Sequence, residues 1–152
     1  MHGQVMPPPL VPLLASFVPA LWLGVVLAIS FLETPLKFRA PGVPRTAALS
    51  IGRVVFRALG RVELGLWLIE ALALWGAGWP GRSAAWFAAL SAIVLLQQAW
   101  WAPVLQRRAA DAIAGSPASS GRRVHQLYIV SEGTKIVLLP ALYLSLAQTL
   151  AI

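Results

Sequence analysis

The sequence contains no cysteine, which removes disulfides, thiolate metal sites and thiol redox chemistry together. Methionine is nearly absent too. The two that occur, Met1 and Met6, stand at the amino terminus, which argues against a methionine-lined copper path. Charge is scarce: only 11% of the residues are Asp, Glu, Lys or Arg, against about a quarter in a soluble domain. Acids are scarcest, with five in the chain: Glu33, Glu63, Glu70, Asp111 and Glu132. Residues 1–9 hold no Lys or Arg, so they lack the positive segment of a targeting peptide. The first apolar run is also too long for such a peptide and is expected to stay as a membrane anchor.

What remains is apolar. Hydrophobic residues make up 59% of the 152, and the mean hydropathy is +0.76. Such a chain cannot cover its surface with polar groups, so part of its solvent is lipid. The length sets one domain as the default. A span needs roughly 20 predominantly apolar residues. Four segments qualify: about 10–32, about 62–79 with a helical extension back to 49, about 83–103, and about 126–150. An open sheet would leave backbone groups unpaired in hydrocarbon, so the spans must be helices. The expected fold class is all-α, an integral membrane four-helix bundle forming a single transmembrane domain over residues 1–152.

Between the first two spans, Pro35, Pro41, Gly42 and Pro44 are expected to break any continuous helix. Between the last two, the chain begins helically and then reads Gly-Ser-Pro-Ala-Ser-Ser-Gly, a flexible composition. No internal repeat is evident.

The net charge of +7 raises nucleic acid as a partner, but no basic stripe occurs outside the segments flanking the spans, so nucleic-acid binding is not expected. Lys37, Arg39, Arg45, Arg53, Arg57 and Arg61 lie between spans one and two, and Arg107, Arg108, Arg122 and Arg123 between spans three and four; only Arg82 and Lys135 lie elsewhere. The positive-inside rule places both connections in the cytoplasm and both termini outside it. The expected location is the bacterial inner membrane, with a multi-pass topology.

Local patterns add packing expectations. Arg53, Arg57 and Arg61 recur every four residues beside Val54, Val55, Phe56 and Leu59, which reads as a basic amphipathic turn touching lipid headgroups. Ser16, Ala20, Gly24 and Ala28 form a small-residue stripe that is expected to pack inside the monomer, with a dimer interface as the alternative. Pro19 and Pro140 should kink their spans. Trp67, Trp75, Trp79, Trp86, Trp100 and Trp101 read mostly as interfacial anchors.

The useful anomaly is the position of the acids, most of which lie in or at the edge of spans. Ionisable groups in a membrane cost a few kcal/mol each, so they face the bundle interior and find partners. On the last span His125, Tyr128, Glu132 and Lys135 share one helical face. At about 1.5 Å per residue from the cytoplasmic span ends, Glu132 lies roughly 9 Å deep, Lys135 about 14 Å, Glu70 about 12 Å, and Gln97 and Gln98 about 8 to 9 Å. A buried polar network of Glu70, Gln97 or Gln98, Glu132 and Lys135 is therefore expected. Lys135 would pair with one glutamate, leaving the other protonated or reaching an arginine such as Arg57. Glu33, Glu63, His125, Tyr128 and Arg57 form a shallower cluster at the interface.

Several stretches carry a family resemblance: Ala28-Ile-Ser-Phe-Leu-Glu-Thr-Pro-Leu-Lys-Phe38, Gly52-Arg-Val-Val-Phe56, Gln98-Ala-Trp-Trp-Ala-Pro103 followed by Arg107 and Arg108, and His125 before a polar-faced last span. In these the chain resembles an uncharacterised bacterial family of small four-helix membrane proteins, distantly like the eukaryotic transmembrane protein linked to cisplatin resistance. The resemblance implies a fold more than an activity. The chain departs from it in carrying Glu-Gly-Thr-Lys at Glu132 to Lys135, where more neutral polar residues would stand.

The residues favour a structural or accessory subunit, or a homo-oligomer, whose buried network specifies helix pairing. Two other classes stay open: a proton- or ion-coupled transporter using Glu70, Glu132 and Lys135, and a quinone- or haem-binding redox protein. A water-connected cavity reaching Glu132 would point to transport, and an apolar slot beside His125 and Tyr128 to a quinone- or haem-like ligand. A dry, fully paired network would point to structure alone. No nucleophile triad, metal-ligand cluster or phosphate loop is present, so no catalytic or metal site and no cofactor is assigned. The balance is against an enzyme. Partners are the lipid bilayer and a further copy or a larger membrane complex.

Overall fold

A computed structural model describes residues 10–78, 81–115 and 122–150. The amino-terminal segment, Trp79 and all but the first glycine of the Gly-Ser-Pro-Ala-Ser-Ser-Gly stretch lie outside them. The elements are α1 (Leu10–Val26), a π-helical turn (Leu27–Glu33), α2 (Thr34–Arg39), α3 (Arg45–Gly76), α4 (Gly81–Leu96), a second π-helical turn (Gln97–Trp101), α5 (Ala102–Ile113) and α6 (Arg122–Leu150). No strand occurs among the described residues.

The prolines explain the wide turns. Pro35 and Pro103 carry no N–H, and in a regular α-helix their rings would press on the carbonyl four residues back. Opening the turn relieves that clash: the Thr34 and Ala102 N–H groups donate five residues back, to the carbonyls of Ile29 and Gln97. The Thr34 hydroxyl also donates to the Ile29 carbonyl, at 2.9 Å. Helix therefore continues to Arg39, where the sequence predicted a break after Leu32, and through Pro103 to Ile113. Likewise α1 and α6 run on through Pro19 and Pro140.

The two halves of the chain share one order of elements. Each has a helix, a π-helical turn, a short helix with proline in its first turn, a glycine at φ 75° (Gly42, Gly115) and a long helix. The repeat is architectural and barely marked in sequence, because helices need only apolar faces while the repeated feature is the spacing of turn and proline.

The core is packed mainly where α1 meets α6 and α3, and where α4 meets α6. Trp22, Val26, Leu74, Leu90, Leu139 and Leu142 are wholly buried there. Outward, Phe17, Val54, Trp75 and Val137 are 60–70% exposed, which suits contact with hydrocarbon rather than water. Among the described residues three helical stretches, 13–39, 81–113 and 123–148, are long and apolar enough to cross a membrane. The fourth long helix, α3, does not meet that measure because it carries Arg45, Arg53, Arg57, Arg61, Glu63 and Glu70. Its arginines gather with α2, α5 and the start of α6 at one end of the bundle, the basic end.

Two packing expectations change. Of the small-residue stripe only Ser16 is buried; Ala20, Gly24 and Ala28 face outward, with nothing within 4 Å of a Cβ added at Gly24, so most of the stripe does not pack inside the monomer. The interior face of α1 belongs instead to Ala15, Val18, Trp22 and Val26. Trp67 is no interfacial anchor: it stacks on Phe87 with centroids 6.3 Å apart and donates to Ser91 Oγ at 2.8 Å. The helical extension expected back to residue 49 is present and reaches Arg45, so the segment from Ile51 to Arg61 lies within α3.

Candidate functional site

Two carboxylates and one ammonium meet in the bundle interior. Lys135 on α6 donates to Glu132 Oε1, one turn before it, at 2.8 Å, and across the bundle to Glu63 Oε1 on α3. The Lys135 and Glu63 side chains are both 0% exposed. Trp22 Nε1 on α1 donates to the same Glu63 oxygen at 3.0 Å, while Glu63 Oε2 has no partner. Gln97 Nε2 donates to Glu132 Oε1 at 2.6 Å, and Ser30 Oγ to Glu132 Oε2 at 2.8 Å. Both π-helical turns thus supply a donor to Glu132, Ser30 from the first and Gln97 from the second. Ser131 caps the arrangement, donating to the Tyr128 carbonyl at 2.7 Å and, more weakly, to Gln97 Oε1 at 3.4 Å. In hydrocarbon-like surroundings such charges persist only when paired and hydrogen-bonded, and this set is nearly saturated.

Glu70 does not join it. The side chain is fully buried, yet neither oxygen has a hydrogen-bond partner. Glu63, placed by the sequence in a shallow interfacial cluster, takes the position expected of Glu70. The reason is the true length of α3: it starts at Arg45, so Glu63 sits midway along it rather than at its mouth. Gln98 also stays outside. Its side chain lies over Gly60, where an added Cβ would stand 2.6 Å from its Oε1. Among the described residues Arg57 reaches no carboxylate; it is exposed at the basic end.

A second site lies beside the first. A cleft of about 600 Å³ opens between the first π-helical turn, α2, the first half of α3, α5 and the start of α6. Phe31, Phe38, Phe56, Leu64, Leu105 and Ile129 make its walls apolar. Lys37, Arg53, Arg57, Arg61 and His125 make its rim basic, and Ser30, Tyr128 and Glu132 reach its inner end. Tyr128 is nearly buried and meets Phe56 edge to face, with centroids 5.6 Å apart. His125 is exposed. Lys37 pairs with Glu33 at 3.0 Å and stands 5.0 Å from the Phe56 ring centroid, directly over Gly52. A side chain at Gly52 would have to move that ammonium. The cleft volume falls in the range of about 300–1,000 Å³ usual for small-molecule sites.

Trp22, Ser30 and Ser131 are site residues that the sequence did not single out. Trp22 is the one tryptophan outside the set read as interfacial, and a polar N–H on a wholly buried ring calls for an acceptor. Ser30 sits three residues before an acid and five before a proline, and only the widened turn aims it at Glu132. Among the described residues no group of three His, Cys, Asp or Glu is disposed to hold a metal ion.

The motif residues quoted above converge on this cleft: Phe31, Pro35 and Phe38 from the first stretch, Gly52 and Phe56 from the second, Gln98 and Pro103 from the third. Residues 17–115, from α1 to the end of α5, match one protein family. That match includes Glu63, Gln97 and most of the cleft, whereas His125, Glu132 and Lys135 on α6 lie beyond it. No curated protein and no solved structure matches the chain. Through residues 17–115 the chain belongs to the family described as a domain of unknown function, DUF4149.

Proposed function

We propose that this is a small multi-pass membrane protein that binds a ligand in the cleft at its basic end, with the buried Glu63–Lys135–Glu132 network as the inner boundary of that site. One observation carries the reading: Glu132 belongs to both sites. Its Oε1 is held by Lys135 and Gln97, its Oε2 by Ser30, and it also lines the cleft. A network that only clasped helices together would need no contact with a cavity. Here a ligand's approach to Glu132 changes the field on a charge shared by α3 and α6. The arginine distribution supports placing the basic end, and so the cleft mouth, on the cytoplasmic face of the inner membrane.

Purification of the full-length protein from native membranes in mild detergent, with mass analysis of extracted small molecules, tests this. A stoichiometric molecule is expected with the natural protein and is expected to be lost from Ala109→Trp, which fills the cleft wall. Equal recovery from both proteins, or recovery from neither, overturns the reading.

A second reading, a homo-oligomer or accessory subunit, draws support from the outward face of α1. Ala20, Gly24 and Ala28 leave a smooth surface on which another helix can pack closely. Gly24→Ile should then lower the oligomeric mass in detergent. An unchanged mass contradicts it.

A further inference from the structure

We infer that the occupant of the cleft is an anionic phospholipid, held by its phosphate at Arg53 and Arg57 with a hydrocarbon chain among the phenylalanines. This rests on the cleft being a ligand site and specifies its chemistry. The argument begins with where the negative charge of the chain goes. Glu33 is taken by Lys37, and Glu63 and Glu132 share Lys135. Glu70 is buried with no partner, and Asp111 is exposed on α5 and pairs with nothing among the described residues. No carboxylate of the described chain is left for Arg53, Arg57 or Arg61, which stand on successive turns of one face of α3 and line the cleft.

The unmet hydrogen-bonding capacity lies at the same place. Arg53 Nε, in the lining of the cleft, is buried without an acceptor. Gln106 donates its amide to the Arg53 carbonyl at 3.1 Å, which leaves its Oε1 buried and without a donor. Buried guanidinium donors call for a phosphate, the anion whose several oxygens fit that fork. The unpaired Gln106 oxygen calls for a hydroxyl, which a glycerol headgroup carries.

The inner end of the cleft is different. Both Glu132 oxygens are already hydrogen-bonded, and the walls leading there are phenylalanine, leucine and isoleucine. That half asks nothing polar of its occupant and suits a hydrocarbon chain. Free phosphate would satisfy the rim and leave the apolar walls unfilled. A neutral lipid would fill the walls and leave the arginines uncompensated. Only an amphiphile with an anionic head meets both ends.

The test uses the full-length protein in mild detergent, titrated separately with phosphatidylglycerol, with phosphatidylcholine of the same chains and with inorganic phosphate. Bound molecules are counted by native mass spectrometry. Phosphatidylglycerol is expected to bind roughly tenfold more tightly than phosphatidylcholine, and inorganic phosphate far more weakly than either. Arg53→Gln with Arg57→Gln is expected to erase the difference between the two lipids. Should that double variant fail to fold, Arg57→Gln alone, at an exposed position, should reduce it. Equal binding of the two lipids by the natural protein overturns the anionic head. Phosphate binding as tight as phosphatidylglycerol overturns the lipid chain. A neutral molecule that copurifies with the natural protein and is lost from Ala109→Trp overturns this inference while leaving the cleft as a ligand site.

Discussion

The carboxylate of Glu63 meets the ammonium of Lys135 across 72 residues of chain, and solvent reaches neither side chain. This contact ties the third helix to the sixth. Removing one member of a buried pair leaves the other charged and unmet, which typically costs about 3–5 kcal/mol. Lys135→Met should therefore lower the thermal midpoint in detergent sharply, because it strands Glu63 and Glu132 together. Adding Glu63→Gln and Glu132→Gln to it should recover most of the loss. A single variant as stable as the natural protein would show that the pair contributes nothing to holding the helices.

Trp22 supplies Glu63 with its second hydrogen bond. Trp22→Phe keeps the ring and removes the N–H, so it isolates that bond. Hydrogen bonds to charged groups contribute about 1.5–3 kcal/mol. A loss of that order is expected in denaturant unfolding, and Glu63→Gln should shrink the cost of Trp22→Phe, since the acceptor is then uncharged.

Glu70 gives the opposite expectation. It is wholly buried and neither of its oxygens is hydrogen-bonded. Replacing an unpaired buried polar group by an apolar one of similar size is neutral or stabilising. Glu70→Leu should leave the thermal midpoint unchanged or raise it. A large loss would mean that Glu70 has a partner outside this chain.

The absence of cysteine makes topology directly measurable. In intact inverted and right-side-out vesicles, Asp111→Cys on α5 should react with a membrane-impermeant maleimide only from the cytoplasmic face. Gly78→Cys, in the turn between α3 and α4, should react only from the opposite face. The reverse pattern would move the cleft to the outer side.

Much of the interior was legible because polar residues are so rare here. In an apolar helix, Glu132 and Lys135 one turn apart declare a face, and Gln97 and Gln98 at similar depth are the candidate partners, of which the structure takes Gln97. The exchange of Glu63 for Glu70 came from helix length. The apolar core of α3 begins at Val62, so depth counted from there makes Glu63 shallow. The helix itself begins 17 residues earlier, at Arg45, with its charged portion continuing the same rod. The π-helical turns were not legible. Pro35 and Pro103 mark them, but proline in a helical run reads equally well as a break, and only packing decides that the helix continues. The aim of Ser30 at Glu132 was hidden for the same reason. Lys37 was legible only as one of many cations, since its place over Phe56 and Gly52 depends on α2 folding back against α3.

Infrared difference spectroscopy between delipidated protein and protein reloaded with its copurifying molecule asks directly whether Glu132 joins the charge network to the cleft. Occupancy of the cleft is expected to perturb a carboxylate band that disappears in Glu132→Gln and persists in Glu70→Leu. A difference spectrum unaltered by Glu132→Gln would contradict the link and reduce the network to a structural clasp.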